Sequence, residues 1–372
     1  MRIAFDYQIF NLQTYGGISR YIARLAEGLV VFEQQVRIFA PIHQNHYLSS
    51  MSQNIVNGSY VSQYPPKSTR LLSVYNHLIS RHKISKWRPD IVHETYYSSK
   101  RLAPIGSKVV LTVHDMIHEL YSSDFPARDN TQALKKQAIE RADHVICISE
   151  NTKKDLMRFY GTPESKISVV LHGFDQLFVN AIPSDIESTS LKIKPFLLYV
   201  GQRGGYKNFS GFLKAIAASK KLIDDFYVIA FGGGKFSCEE AALISTLGFA
   251  DNQVRQLTGD DTLLSSFYCA ASAFVYPSLY EGFGIPPLEA MACLCPIVAS
   301  NTSSMPEVIG DAAEYFDPNE TDSMSCAIEN VVYSEVRKAY LRNKGLVRLS
   351  HFSWGKSSAQ TLDVYKNVLG QL

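Results

Sequence analysis

Phe196-Leu197-Leu198-Tyr199-Val200-Gly201-Gln202-Arg203-Gly204-Gly205-Tyr206-Lys207-Asn208-Phe209 is the stretch from which the fold is read. Five apolar residues in a row, followed at once by glycine, predict a short strand covered on both faces. Beyond the glycines, Phe209, Phe212, Leu213 and Ile216 fall on one stripe of a helix. A buried strand, a glycine-rich loop and an amphipathic helix, in that order, form the repeating unit of a parallel α/β sheet.

The same unit recurs in both directions along the chain. Apolar runs at 2–6, 35–40, 91–94, 109–114, 144–149 and 166–171 predict one series of strands. Runs at 196–200, 226–231, 254–257, 273–276, 296–299 and 313–316 predict a second. Behind Gly16-Gly17, the residues Ile18, Tyr21, Ile22, Leu25 and Leu29 make another helical stripe. Two such series predict two doubly wound α/β domains, at 1–180 and 192–354. The polar stretch 178–194, with Pro183, Ser184, Asp185, Ser188, Thr189 and Ser190, reads as the linker between them. The last segment, 352–372, reads as a helix with Leu362, Tyr365 and Leu369 on one stripe. It belongs either to the second domain or, as residues 355–372, to the first.

Composition limits the function. Of 372 residues 46% are hydrophobic and 19% charged, which excludes a disordered chain. A net charge of +2 is too mild for a nucleic-acid partner. The charge is uneven, however. No Asp or Glu occurs between Gln34 and Pro89, while Arg37, Lys67, Arg70, Arg81, Lys83, Lys86 and Arg88 all do, with Tyr75 and Trp87 among them. That stretch is either a solvated basic surface or a patch for anionic lipid or a diphosphate-bearing acceptor. The six cysteines show no Cys-x-x-Cys spacing, and Cys293 and Cys295 sit in an apolar run that suits packing. No run approaches the roughly 20 apolar residues that span a bilayer. The first strand starts at Arg2, so no cleavable leader is expected. A cytoplasmic protein is the expectation, with any membrane contact peripheral and on the inner face.

Ligands of open α/β sheets lie beyond the carboxyl ends of the strands, so the loops there are the candidates. After the first strand come Gly16-Gly17, either an ordinary turn or an anion seat at a helix start. After the strand at 196–200, Arg203 and Lys207 offer a planar fork of donors and a point charge in one glycine-rich loop, a plausible grip for a diphosphate. Neither loop carries a Walker A sequence or a Gly-x-Gly-x-x-Gly fingerprint. After the strand at 273–276 comes Glu281-Gly282-Phe283-Gly284-Ile285-Pro286-Pro287-Leu288-Glu289. Here one carboxylate sits on a loop and the other on the helix that follows. The first can meet a sugar and the second ribose hydroxyls, while the amides of Phe283, Gly284 and Ile285 can face phosphate. His114-Asp115 ends another buried strand. A histidine there is either structural or a hydrogen-bonding group for substrate.

Taken together, Gly16-Gly17, His114-Asp115, Ser149-Glu150-x-Thr152-Lys153, Arg203…Lys207-Asn208 and Glu281-x7-Glu289 resemble the retaining glycosyltransferase family numbered four. The resemblance covers nearly the whole chain. It implies the GT-B fold, two Rossmann-like domains facing each other across a deep cleft. It also implies that Arg203 and Lys207, with Gly17, Gly284 and Ile285, hold the donor diphosphate. Glu281, Gly282, Phe283 and His114 would meet the donor hexose, Glu281 near its C3, with Glu281 and His114 as the catalytic groups. Glu289 would bind ribose, and Val254, Leu257 and Thr258 would lie at the nucleobase. Gly16 and Asp115 would stand on the acceptor side. No metal or other cofactor is expected, and no Asp-x-Asp occurs. The string His114-Asp115-Met116-Ile117-His118-Glu119 is similar to that of bacterial mannosyltransferases that build lipopolysaccharide O-antigen. This similarity implies GDP-mannose as donor and a glycan or polyprenyl-diphosphate-linked acceptor. A UDP-sugar donor, a sugar-nucleotide epimerase and a non-catalytic nucleotide-sugar-binding protein are the alternatives.

Overall fold

The computed structural model describes residues 1–179 and 195–371, so most of the expected linker lies outside the described residues. The chain divides into two compact units. Unit 1 comprises Met1–Gly173 with Ser353–Leu372, and unit 2 comprises Phe174–Phe352. The C-terminal helix is therefore part of unit 1, and the chain leaves unit 1 and returns to it.

The sheet of unit 1 is built from β1 (Arg2–Phe5), β2 (Gln35–Ile38), β5 (Ile91–Glu94), β6 (Lys108–Val113), β7 (His144–Cys147) and β8 (Ile167–Val169). Two further strands, β3 (Ile42–His43) and β4 (Ser59–Tyr60), pair apart from it. Unit 2 is built from β9 (Phe196–Val200), β10 (Tyr227–Phe231), β11 (Val254–Leu257), β12 (Ala273–Tyr276), β13 (Ile297–Ser300) and β14 (Ala313–Phe316). The strand orders are β2-β1-β5-β6-β7-β8 and β11-β10-β9-β12-β13-β14, with parallel pairing throughout. In each sheet the chain winds outward on one side and then restarts on the other. The reversal falls between β1 and β5 in unit 1 and between β9 and β12 in unit 2. The loops leaving those paired strands flank the place where such sheets take ligands.

Seven helices matter to the argument. They are α1 (Gly17–Val31), α2 (Thr69–Trp87), α3 (Thr131–Arg141), α4 (Phe209–Ala218), α5 (Cys238–Thr246), α6 (Ile285–Ala292) and α7 (Trp354–Val368). On α4, Phe209, Phe212, Leu213 and Ile216 are buried, and the Tyr199 ring of β9 lies 4.9 Å from Phe209 and 6.3 Å from Phe212. Each such side chain removed from water contributes about 1.5–3 kcal/mol, so the opening strand–loop–helix unit is held at both ends. In unit 1, α1 buries Tyr21, Ile22, Leu25 and Leu29, and α7 packs beside it with Ser357, Ser358, Thr361 and Tyr365 buried. The approach is close: a Cβ on Gly28 would stand 2.1 Å from Ser358 Oγ.

Candidate active site

Three contacts stitch the loop after β9 to the loop after β12. Leu279 N–H donates to the Tyr206 carbonyl at 2.7 Å, and Asn208 Nδ2 donates to the Pro277 carbonyl at 3.2 Å. The third is Lys207 Nζ on Glu281 Oε1 at 2.7 Å. Asn208 holds φ +54, in the left-handed region that asparagine tolerates, and also reaches the Pro318 carbonyl at 3.0 Å. Lys207 and Glu281 thus meet at the chain reversal of the unit 2 sheet.

The Glu281 carboxylate is 7% exposed and also accepts from Ser278 Oγ at 2.6 Å. Its backbone is pinned as well. The Glu281 N–H donates to Ser303 Oγ at 2.9 Å, and Ser304 Oγ donates to the carbonyls of Glu281 and Phe283. The loop is therefore preorganised by three serines that motif reading passed over. Ser278, three residues before Glu281, was within reach of local pattern. Ser303 and Ser304 follow β13 and become neighbours only through the topology.

Gly284, at φ +109, opens α6, a backbone state that favours glycine. The amides at the start of α6 lack intrahelical acceptors, and the positive end of the helix dipole favours an anion there. Glu289 lies in the second turn of α6, 3% exposed, with Tyr268 Oη donating to Oε2 at 3.4 Å. Phe283 departs from the expectation of a sugar contact. Its ring is buried against Phe352 at 5.9 Å, so only its backbone stays near the loop surface. Val254 departs too: it begins β11 and packs in the core, at the end of the strand away from the loops. Leu257 and Thr258 are at the loop end, where Gln256 Nε2 donates to the Leu257 carbonyl and Thr258 Oγ1.

Arg203 is not brought onto Lys207's partner. Its Nε and Nη2 bind the Glu240 carboxylate at 2.7 and 3.2 Å, and Nη1 and Nη2 bind the carbonyls of Gly232 and Lys235. The reason is topological. Arg203 turns toward β10, the neighbour of β9 on one side, and Lys207 toward β12 on the other. The side-by-side cationic pair expected for the diphosphate resolves into one charge, Lys207, beside the glutamate loop.

In unit 1, His114 follows β6 and is 5% exposed. Burial, with Lys135 adding to it and Asp115 opposing, lowers its pKa to about 4. At neutral pH the ring is therefore uncharged, and its Nε2 has no hydrogen-bond partner among the described residues. An uncharged imidazole with an open nitrogen can bond a hydroxyl but cannot serve as a cationic acid. Asp115 instead caps the next turn, accepting from the Ile117 N–H at 3.0 Å. That segment is held by Lys135, fully buried, which donates to the Asp115 carbonyl at 2.9 Å and to Glu119 Oε2 at 2.7 Å. Gly16 precedes α1 with its carbonyl accepting from Ser19 Oγ, and a Cβ at Gly17 would meet nothing in the chain, which leaves open space before the helix start.

The comparisons agree with this architecture. The family model described as Glycosyltransferase Family 4 matches residues 15–176, and that described as Glycosyl transferases group 1 matches residues 183–346. The chain is 26% identical over 373 residues to O-antigen chain mannosyltransferase B of Escherichia coli, covering 94% of this chain and 96% of that one. It is 29% identical over 230 residues to O-antigen chain mannosyltransferase RfbU of Salmonella typhimurium, covering 61% and 62%. Among solved structures, a sucrose-phosphate synthase from Thermosynechococcus elongatus superposes with a TM-score of 0.80. It shares 18% identity, covering 100% of this chain and 99% of that one.

Proposed function

The chain belongs to glycosyltransferase family 4 and has the GT-B fold, and from that premise we propose that it transfers mannose from GDP-mannose, with retention, to a hydroxyl of a growing surface glycan. The acceptor is a glycan or a polyprenyl-diphosphate-linked saccharide of O-antigen synthesis. The observation that carries the reading is the Lys207–Glu281 contact at 2.7 Å, which sets a cation and a carboxylate together at the chain reversal of unit 2. The mannosyltransferase names of the two relatives support the choice of sugar.

Lys207 takes the donor diphosphate, with the amides of Gly284 and Ile285 at the α6 start. Glu289 takes the ribose hydroxyls, and Glu281 takes a hexose hydroxyl near C3. In unit 1, taken by itself, neutral His114 offers a hydrogen bond to a substrate hydroxyl, and the Gly17 amide offers one to an anion. Negative charge grows on the departing diphosphate, and fixed donors already in place stabilise it more in the transition state than in the ground state. The acceptor hydroxyl attacks from the side the diphosphate leaves and passes its proton to the leaving phosphate. Lys207 and the helix start supply the charge that a divalent ion supplies elsewhere, so chelators should leave transfer unchanged.

Among the described residues no helix is long and apolar enough to cross a membrane. We place the enzyme at the inner membrane face through α2. There Leu71, Val74 and Leu78 are exposed at 72, 56 and 59%, in the stretch that carries Arg70 and Arg81 but no acid.

The test is a transfer assay with GDP-mannose, UDP-glucose and UDP-galactose, each with and without a saccharide acceptor, and the product anomer read by NMR. GDP-mannose consumed only with acceptor, giving the α-anomer, is the expected result. Consumption of a UDP-sugar instead changes the donor, and conversion without acceptor replaces transfer by epimerisation.

A further inference from the structure

Arg203 is 7% exposed, and four of its hydrogen bonds go to the protein. Its guanidinium also lies over the Phe236 ring at 4.8 Å. A diphosphate that drew it away would break both bonds to the Glu240 carboxylate and those to the Gly232 and Lys235 carbonyls, and a hydrogen bond to a charged group is worth about 1.5–3 kcal/mol. Direct phosphate binding is a poor use of this side chain as it is placed.

What Arg203 grips is a turn of three glycines. Gly232, Gly233 and Gly234 hold φ +90, +69 and +71, and a Cβ at Gly233 would stand 2.6 Å from Arg203 Nη1 and 2.9 Å from the Gly201 carbonyl. Arg203 Nη1 holds the Gly232 carbonyl at 3.0 Å from one side, and Gln256 Nε2 holds it at 3.2 Å from the other. Glu240 is fixed in turn, because it is the N3 residue of the capping box that starts α5, with its Oε2 on the Ser237 N–H at 2.7 Å. The loops after β9, β10 and β11 are thus knit into one surface at the carboxyl ends of their strands. The amides of Gly233 and Gly234 meet no acceptor among the described residues. Successive free amides in a turn form a seat for an anion or for polar edges of a nucleoside.

We propose that Arg203 and Glu240 are a positioning pair that sets the Gly232–Gly234 turn for the donor's nucleoside diphosphate, acting through that turn and not by touching the donor. The proposal rests on the reading of unit 2 as the donor-binding unit.

The test is calorimetric titration of GDP and of UDP into the full chain, as wild type and as Arg203→Lys, Glu240→Gln, the double variant, Gly233→Ala and Lys207→Met. Arg203→Lys and Glu240→Gln should each weaken the better-bound nucleotide about tenfold or more, and the double variant little beyond either, because both break one device. Gly233→Ala should reproduce the loss with both charged side chains still present, because its Cβ would crowd Arg203 Nη1 and the Gly201 carbonyl and displace the turn, which covers the case of a Glu240 variant that does not fold. In steady state the donor KM should rise with Glu240→Gln while kcat at saturating donor and the acceptor KM stay within about twofold, a split that general destabilisation does not produce. Were Arg203 a direct phosphate ligand, Arg203→Lys would weaken binding while Glu240→Gln left it unchanged or tighter, and that result overturns the pair. So does full affinity in a folded Gly233→Ala. A wild type that binds neither nucleotide overturns the donor reading and the pair with it. Loss confined to Lys207→Met overturns the pair alone.

Discussion

Replacing Lys207 by Met and Glu281 by Gln should move nucleotide affinity in opposite directions. The two side chains meet at 2.7 Å with only 20% and 9% of their surface exposed, so the contact is partly desolvated and charge-assisted. A hydrogen bond to a charged group is worth about 1.5–3 kcal/mol, which at about 1.4 kcal/mol per tenfold is about 10- to 150-fold in affinity. Lys207→Met keeps the unbranched stem, one atom shorter, and removes the charge, so GDP binding should weaken by that factor. Glu281→Gln keeps the shape and the bond from Ser278 but removes the carboxylate that competes with phosphate for Lys207. GDP should then bind several-fold tighter, while transfer falls by about 100-fold or more through loss of a contact made as charge develops. Calorimetry measures the first quantity, and release of nucleoside diphosphate in the presence of acceptor measures the second. Equal weakening of nucleotide binding in both variants, or full turnover in Glu281→Gln, would refute the assignment of cation to phosphate and carboxylate to sugar.

Acid should loosen unit 1. Burial lowers the pKa of His93 to about 3 and of His114 to about 4, and pushes that of His172 well below its ordinary value of 6.5. Each folded-state pKa lies below the unfolded one, so this stabilisation is fully present above about pH 6.5 and is lost as pH falls toward 4 and 3. The slope is about 1.4 kcal/mol per pH unit for each group between its two values. Urea midpoints at pH 7, 6 and 5 should fall steadily, and unchanged midpoints would count against the buried neutral rings. Gly28→Ala should destabilise unit 1 by about 1–3 kcal/mol through its clash with Ser358, and Ser358→Gly in the same chain should restore much of the loss in a thermal melt. Lys135→Met should cost about 3 kcal/mol or more, since it strands Glu119, and hydrogen exchange should rise first in residues 115–120. If α2 seats the protein on anionic lipid, vesicles containing phosphatidylglycerol should capture it at low salt and release it at high salt. Retention of capture in a variant with Leu71, Val74 and Leu78 all changed to Ser would exclude that face.

What could be read in the sequence follows from where the physics is local. Continuous apolar runs such as 196–200 and 273–276 have no stable use outside a strand covered on both sides, and twelve strands lie where such runs occur. The pair β3 and β4 is two residues per strand, too short for any period. Helix α2 escaped for the opposite reason. Of its nineteen residues only Asn76, Ser80 and Ile84 are buried, two of them polar, so no apolar stripe marks it. In the site, residue type was legible and direction was not. A loop cation looks the same whether it faces a ligand or the next loop, and Arg203 was separated from Lys207 only by which neighbour of β9 each turns toward. Phe283 and Val254 were placed by proximity in sequence to polar motifs, whereas burial of an aromatic ring and of a β-branched side chain dominates where each one points. The capping box Ser237-x-x-Glu240 was legible as a local pattern, but its link to Arg203 spans 37 residues and needs the sheet.

Helix α7 returns to unit 1 after the whole of unit 2 has intervened. During synthesis, residues 353–372 must therefore emerge before unit 1 can be completed. Until then α1 offers Gly28 and its neighbours to solvent with nothing seated on them, while unit 2 can already fold. The nascent protein passes through a stage in which its later half is finished and its earlier half is not.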